Sequence, residues 1–255
     1  MSSNSSPYYT SLASVGPGFE QGNSILTYHK LGARPQRVRL KGLYVSTRLF
    51  AAQLRELHEA GYQNGSLTEC AGPRQPRRIV ITFDDGYVNV LRHGLEPLAR
   101  FGFQAIQFLP ADLLGRSNEW DVAAGEAREV IMDVAQVRDW LAAGHDIGSH
   151  TLDHPFLTKL PAAEAKEQIR ASKKKLEDVF GRPIEHFCYP YGDWNSAVRD
   201  LVAEAGYCTA CTTDSGANQP TDSNFALKRF TARYPSRNWK TAKEKLRRLV
   251  LGRQD

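Results

Sequence analysis

The chain is poor in sulfur and in long apolar runs. Its 255 residues include 2 methionines and 4 cysteines. No stretch approaches the roughly 18–20 apolar residues that a membrane-spanning helix needs, so stable membrane insertion is not expected. The opening residues, MSSNSSPYYTSLASVGPGFEQGN, lack the apolar centre of a secretory signal. Residues 1–23 are therefore expected to be a flexible leader, residues 24–255 a single catalytic domain, and the cytoplasm the default location. Cys70 and Cys188 stand alone, and Cys208 and Cys211 have no second pair to complete a zinc finger. A spacing of three along a strand puts the latter two thiols on opposite faces, which argues against a redox pair. The net charge is +5 and the pI about 9.0, but no basic strip is interleaved with aromatics, so no nucleic-acid partner is expected. Oligomeric state is open at this level.

What the chain does have is alternation. Short apolar strands and amphipathic helices succeed one another, the pattern of parallel β/α architecture. Strands are expected at 24–29, 78–83, 104–109, 146–149, 185–189, 207–212 and 227–231. Helices are expected at about 46–60, 87–101, 133–143, 161–180 and 195–205, with a basic one from Asn238. Pro97 is expected to kink or break the second. Asp133 and Gln136 are placed for a capping box. The stretch from Pro110 to Met132 reads as a loop over one barrel end that shapes a cleft. These elements predict a distorted (β/α)7 barrel, whose functional groups belong at the carboxyl ends of the strands.

Two motifs lie at such ends. Thr82-Phe83-Asp84-Asp85-Gly86 closes one strand, and His150-Thr151-Leu152-Asp153-His154 follows another. One carboxylate and two imidazoles make three protein ligands for a divalent cation, leaving a position for water and a second carboxylate as base. The working assignment gives Asp85, His150 and His154 to the metal and Asp84 to the proton. A spacing of four brings both imidazoles to one ion if the segment turns as a helix does. A third block, Phe187-Cys188-Tyr189-Pro190-Tyr191-Gly192-Asp193, is a stiff turn in which the Tyr191 backbone N–H is a candidate oxyanion donor.

In order, these blocks resemble the first three motifs of the polysaccharide deacetylases, the NodB-like or family 4 carbohydrate esterase group. The run Gly144 to Thr151 is similar to that family's approach to its histidine pair. The resemblance implies a divalent ion, usually zinc, a carbohydrate partner, and removal of acetyl groups from GlcNAc-containing poly- or oligosaccharide with release of acetate. It implies Asp84 as general base, Asp85, His150 and His154 as ligands, and the Tyr191 backbone in the oxyanion hole.

The chain departs from that pattern twice. Cys188 stands where the family has an arginine that orients the base, and Arg233 is the residue expected to replace it. No histidine follows His186, where the family has its general acid. His29 is expected to take that role, because the first and last strands of a closed barrel are neighbours. A branch of the family with a Tyr-His pair on its amino-terminal strand looks similar. Other readings keep the fold but change the bond, to a cyclic amide or an acetylated xylan ester, or leave a glycan-binding module without turnover.

Overall fold

The computed structural model describes residues 8–122 and 124–233. In chain order its strands are β1 (Tyr8–Tyr9), β2 (Ser24–Tyr28), β3 (Lys30–Leu31), β4 (Tyr44–Val45), β5 (Gln63–Asn64), β6 (Arg78–Phe83), β7 (Ala105–Leu109), β8 (Asp146–Ser149), β9 (His186–Cys188), β10 (Thr209–Cys211) and β11 (Phe230–Ala232). The helices are α1 (Leu12–Phe19), α2 (Thr47–Glu59), α3 (Val88–Phe101), α4 (Glu119–Val122), α5 (Val134–Ala142), α6 (Ala162–Phe180) and α7 (Ser196–Glu204).

One parallel sheet runs β1-β11-β2-β6-β7-β8-β9-β10, with β5 added beside β6. A single segment closes the ring. Leu227 bridges Cys211 on β10, and three residues later Phe230 pairs with Leu26 on β2. Seven strands thus make the distorted barrel that the apolar runs predict. Alternation sorts their side chains: Ile25, Val80, Ile106, Phe108, Cys188, Cys211 and Leu227 fill the interior, while Leu26, Ile79, Ile81 and Ala105 meet the helices. Both faces are buried, as a helix-covered parallel sheet requires.

Local rules account for the helices. Ser46 accepts from Leu49 N at the start of α2, whose Phe50, Leu54 and Leu57 are buried. Asp133 and Gln136 form the expected capping box. Asn195 caps α7. The helix expected from Asn238 lies outside the described residues. Among those residues no helix is long and apolar enough to cross a membrane.

Pro97 does not break α3, which continues to a left-handed cap at Gly102. Proline has no N–H to offer the carbonyl of His93, an exposed residue where water can substitute. From Tyr8 onward, the expected flexible leader is instead structured. Tyr8 and Tyr9 pair with Thr231 and Ala232 of β11, and Phe19 of α1 packs on Phe230 with ring centroids 5.0 Å apart. A two-residue strand is too short to show periodicity, yet it covers an edge of β11 that would otherwise be open.

A buried imidazole between α5 and β8 makes stability depend on pH. The His145 ring lies 4.1 Å from that of Trp140, and burial holds its pKa down at about 4. The folded protein keeps this ring neutral while the unfolded chain protonates it near its ordinary value. Its contribution is therefore complete above about pH 6.5 and declines as pH falls toward 4. His145→Gln is expected to lose less stability between pH 7 and 4.5 than wild type, by on the order of 2 kcal/mol. Urea unfolding of both proteins at the two pH values measures the difference; parallel losses would contradict it.

Candidate metal centre and active site

Adjacent residues on a regular strand point to opposite faces, so Asp84 and Asp85 need a break in the strand to share a cleft. Asp84 N still donates to Tyr28 O at 3.0 Å, extending the ladder by one residue. Asp85 and Gly86 then both take left-handed conformations, with φ of 73° and 74°. This reversal brings both carboxylates to the barrel mouth. Glycine suits position 86, where φ is 74° and a Cβ would meet Leu109 Cδ2 at 2.9 Å and Ile131 Cγ2 at 3.1 Å.

The histidine pair sits in a turn rather than on the expected helical segment. Thr151 and His154 each have φ of 68°. Thr151 Oγ1 donates to His150 O and accepts from His154 N at 3.0 Å, locking the turn from inside. Of the described non-glycine residues with positive φ, four belong to these motifs: Asp85, Thr151, His154 and Tyr191. Each costs about 1–3 kcal/mol, and such strain concentrates where geometry serves function.

The result is one buried cluster. Asp85 Oδ1 lies 3.3 Å from His150 Nε2 and 3.3 Å from His154 Nε2, with all three donor atoms within 4.8 Å of one another. Two ligands at about 2.1 Å from a shared tetrahedral ion stand about 3.4 Å apart, so the spacing fits a zinc-like cation. It is longer than the roughly 2.7–2.9 Å of a direct charge-assisted hydrogen bond. His150 Nδ1 is 2.7 Å from Cys188 O, which aims Nε2 inward, an outer-shell device common in metal sites. Packing orients His154: Trp120 stacks on its ring at 4.4 Å and Tyr191 meets it edge-on at 4.4 Å. Burial raises the Asp85 carboxyl, but the two imidazoles outweigh it and hold the group well below its ordinary range.

Asp84 has a different partner. Arg229, fully buried, clamps it with Nη1 to Oδ1 at 2.7 Å and Nη2 to Oδ2 at 2.8 Å. The guanidinium also donates to Thr82 Oγ1, Thr212 O and Cys188 Sγ. Burial raises the Asp84 carboxyl, and the Arg229 charge and hydrogen bonds more than reverse that, keeping it ionised. Cys188 stays a thiol, pushed up to about 11 by burial. Arg233, the residue expected here, instead lies over the Tyr8 ring. The missed signal was periodicity: Arg229 is two residues after Leu227, and period two places it on the same interior face.

His29, one residue past β2, places Nε2 3.7 Å from Asp84 Oδ2. Tyr191, with φ of 60°, is 40% exposed and stacks on Phe156 at 3.8 Å. The residues expected at the site are thus gathered at one barrel mouth. Arg229 and Trp120 join them without having been anticipated.

The sequence model described as Polysaccharide deacetylase matches residues 71–210. The chain belongs to the polysaccharide deacetylase family. His29 and Arg229 lie outside the matched span, whereas Cys188 lies within it. The Bacillus subtilis protein YxkH is 26% identical over 212 residues, 80% of this chain and 69% of that one. The peptidoglycan-N-acetylglucosamine deacetylase PgdA of Listeria monocytogenes is 34% identical over 127 residues, 49% of this chain but only 24% of PgdA. The fold is that of the Streptococcus pyogenes deacetylase PplD solved with acetate, with a TM-score of 0.71 at 18% identity over 88% of this chain and 97% of that one.

Proposed function

We propose that the protein is a metal-dependent hydrolase that removes N-acetyl groups from a GlcNAc-containing poly- or oligosaccharide and releases acetate. The observation that carries this reading is the meeting of Asp85, His150 and His154 beside a carboxylate that Arg229 keeps ionised. The activity that PgdA is named for supports a glycan substrate.

A divalent cation such as zinc, held by Asp85, His150 and His154, supplies Lewis acidity toward the acetyl carbonyl and toward water. Asp84 accepts the proton of the attacking water, and the Arg229 fork fixes the direction in which its lone pairs point. The Tyr191 backbone N–H is assigned to the developing oxyanion. His29 gives a proton to the nitrogen as the C–N bond breaks, so the sugar leaves as an amine. One water is consumed, and the products are acetate and an amino sugar. The absent third-motif arginine and the absent late histidine are the reasons to consider a binding module without turnover; the Arg229 guanidinium beside Asp84 and the His29 imidazole near it support turnover instead.

The test is acetate release from N-acetylated chito-oligosaccharides by zinc-loaded protein. Asp84→Asn is expected to lower kcat/KM by about 10²–10⁴-fold while metal content stays at the wild-type level. Full turnover by the Asp84→Asn variant would remove Asp84 from its role. Turnover of a cyclic ureide but of no acetylated sugar would reassign the substrate.

A further inference from the structure

Lys30 buries its amino group in a place where charge is costly. Its side chain is 0% exposed and its Nζ has no hydrogen-bond partner. The ammonium lies 5.1 Å from the Tyr44 ring centroid and 4.7 Å from that of Tyr87, and faces Asp121 Oδ2 at 4.0 Å. Among the described residues, two ring faces and the Asp121 carboxylate are the groups recorded against it.

Asp121 belongs to α4, in the long connection between β7 and α5. The neighbouring residue Trp120 stacks on the metal-ligand candidate His154, which places α4 against the site. The connection is fastened to the β3–β4 region at two further points. Glu126 Oε1 accepts from Leu40 N at 2.6 Å, and Glu129 Oε1 accepts from Tyr44 Oη at 2.7 Å. Unlike Lys30, the Asp121 side chain keeps a solvent-facing part, 12% of its surface. A carboxylate thus lies on α4 beside the metal cleft, facing Lys30 at 4.0 Å and keeping acceptor capacity on its open side.

We propose that Asp121 is a substrate-binding carboxylate that accepts a hydrogen bond from a sugar hydroxyl, and that Lys30 is the residue that positions it. The proposal rests on the glycan-deacetylase reading above. The choice of a neutral hydroxyl over a cationic amino sugar follows from Lys30. A carboxylate whose charge is already answered by an ammonium gains little from a second cation, but its lone pairs still direct hydrogen-bond donors. A hydroxyl read in this way adds binding energy felt equally by the bound substrate and the transition state, so its loss falls on KM and not on kcat.

The test uses zinc-loaded full-length protein. N-acetylchitotetraose and its fully de-N-acetylated counterpart are titrated by calorimetry at two salt concentrations, and steady-state acetate release gives KM and kcat separately. Asp121→Ala is expected to weaken binding of the acetylated tetramer at least tenfold and to raise KM by the same factor, with kcat within twofold. Asp121→Asn, which keeps an acceptor oxygen and guards against a folding defect, is expected to lose less. Lys30→Met is expected to raise KM with little change in kcat, and the Lys30→Met/Asp121→Ala double variant to lose no more than Asp121→Ala alone.

Binding and KM unchanged in both Asp121 variants would overturn the proposal. So would an equal loss of kcat, metal content or folded structure, which marks a structural role. Salt-sensitive binding of the de-N-acetylated tetramer that disappears in Asp121→Ala would overturn the hydroxyl assignment in favour of a cation site. Wild-type protein that binds neither oligosaccharide overturns it as well. Because binding is read without turnover, wild-type protein that binds the tetramer but releases no acetate sinks the proposed activity and leaves this test intact.

Discussion

Arg229→Met is expected to be among the most damaging single substitutions in the chain. It strips the bidentate partner from Asp84, a carboxylate with 3% of its surface exposed. Removing one member of a buried ion pair leaves the other charge without compensation, at a cost of about 3–5 kcal/mol. Activity is expected to fall by about 100-fold or more even where the protein still folds, because a misdirected base misses the attacking water. Urea unfolding and acetate release measure the two effects separately. The geometry also predicts a rescue. Cys188 Sγ lies 3.2 Å from Arg229 Nη2, so side chains from β9 and from the segment before β11 reach the same point. Cys188→Arg alone is expected to destabilise by crowding two guanidinium groups, whereas Cys188→Arg with Arg229→Ala is expected to recover part of the activity. If Arg229→Met retains wild-type stability and turnover, the clamp has no role.

His29→Asn is expected to separate two kinds of substrate. In the proposed role of proton donor to a departing amine, loss of His29 is expected to cost about 10²–10⁴-fold on an N-acetyl sugar. A 4-nitrophenyl acetate ester releases a stable anion that needs no proton, so its hydrolysis is expected to change by less than about tenfold. The contrast is diagnostic because His29 also lies 3.7 Å from the Asp84 carboxylate. Equal losses on amide and ester would mean that His29 acts through Asp84 and not on the leaving group.

Much of this arrangement is legible in the sequence because its signals are local. Strand β6 shows as an apolar run ended by two carboxylates, and a His-x-x-x-His spacing directly after β8 marks the second motif. The turn that carries those histidines is not legible as such. Its left-handed residues are Thr151 and His154, neither a glycine, so nothing in the composition signals the backbone reversal. Arg229 was hidden for the opposite reason. A charged residue inside a short strand reads as solvent-facing, and only the closure of the barrel beside β10 turns it inward. The Lys30–Asp121 pair joins residues on separate β/α connections, a coupling that no local pattern encodes. The structured β1 escaped notice because two residues cannot display a period, and α1 because Gly16-Pro17-Gly18 in its sequence reads as a loop.

The central claim is that Asp85, His150 and His154 hold one divalent cation. Metal-stripped protein titrated with zinc tests it most directly, with bound metal measured after gel filtration. The expected result is one equivalent retained per wild-type chain, and none by Asp85→Ala or His150→Ala. Wild-type protein that retains no zinc, or an Asp85→Ala variant that still binds a full equivalent, would contradict the account.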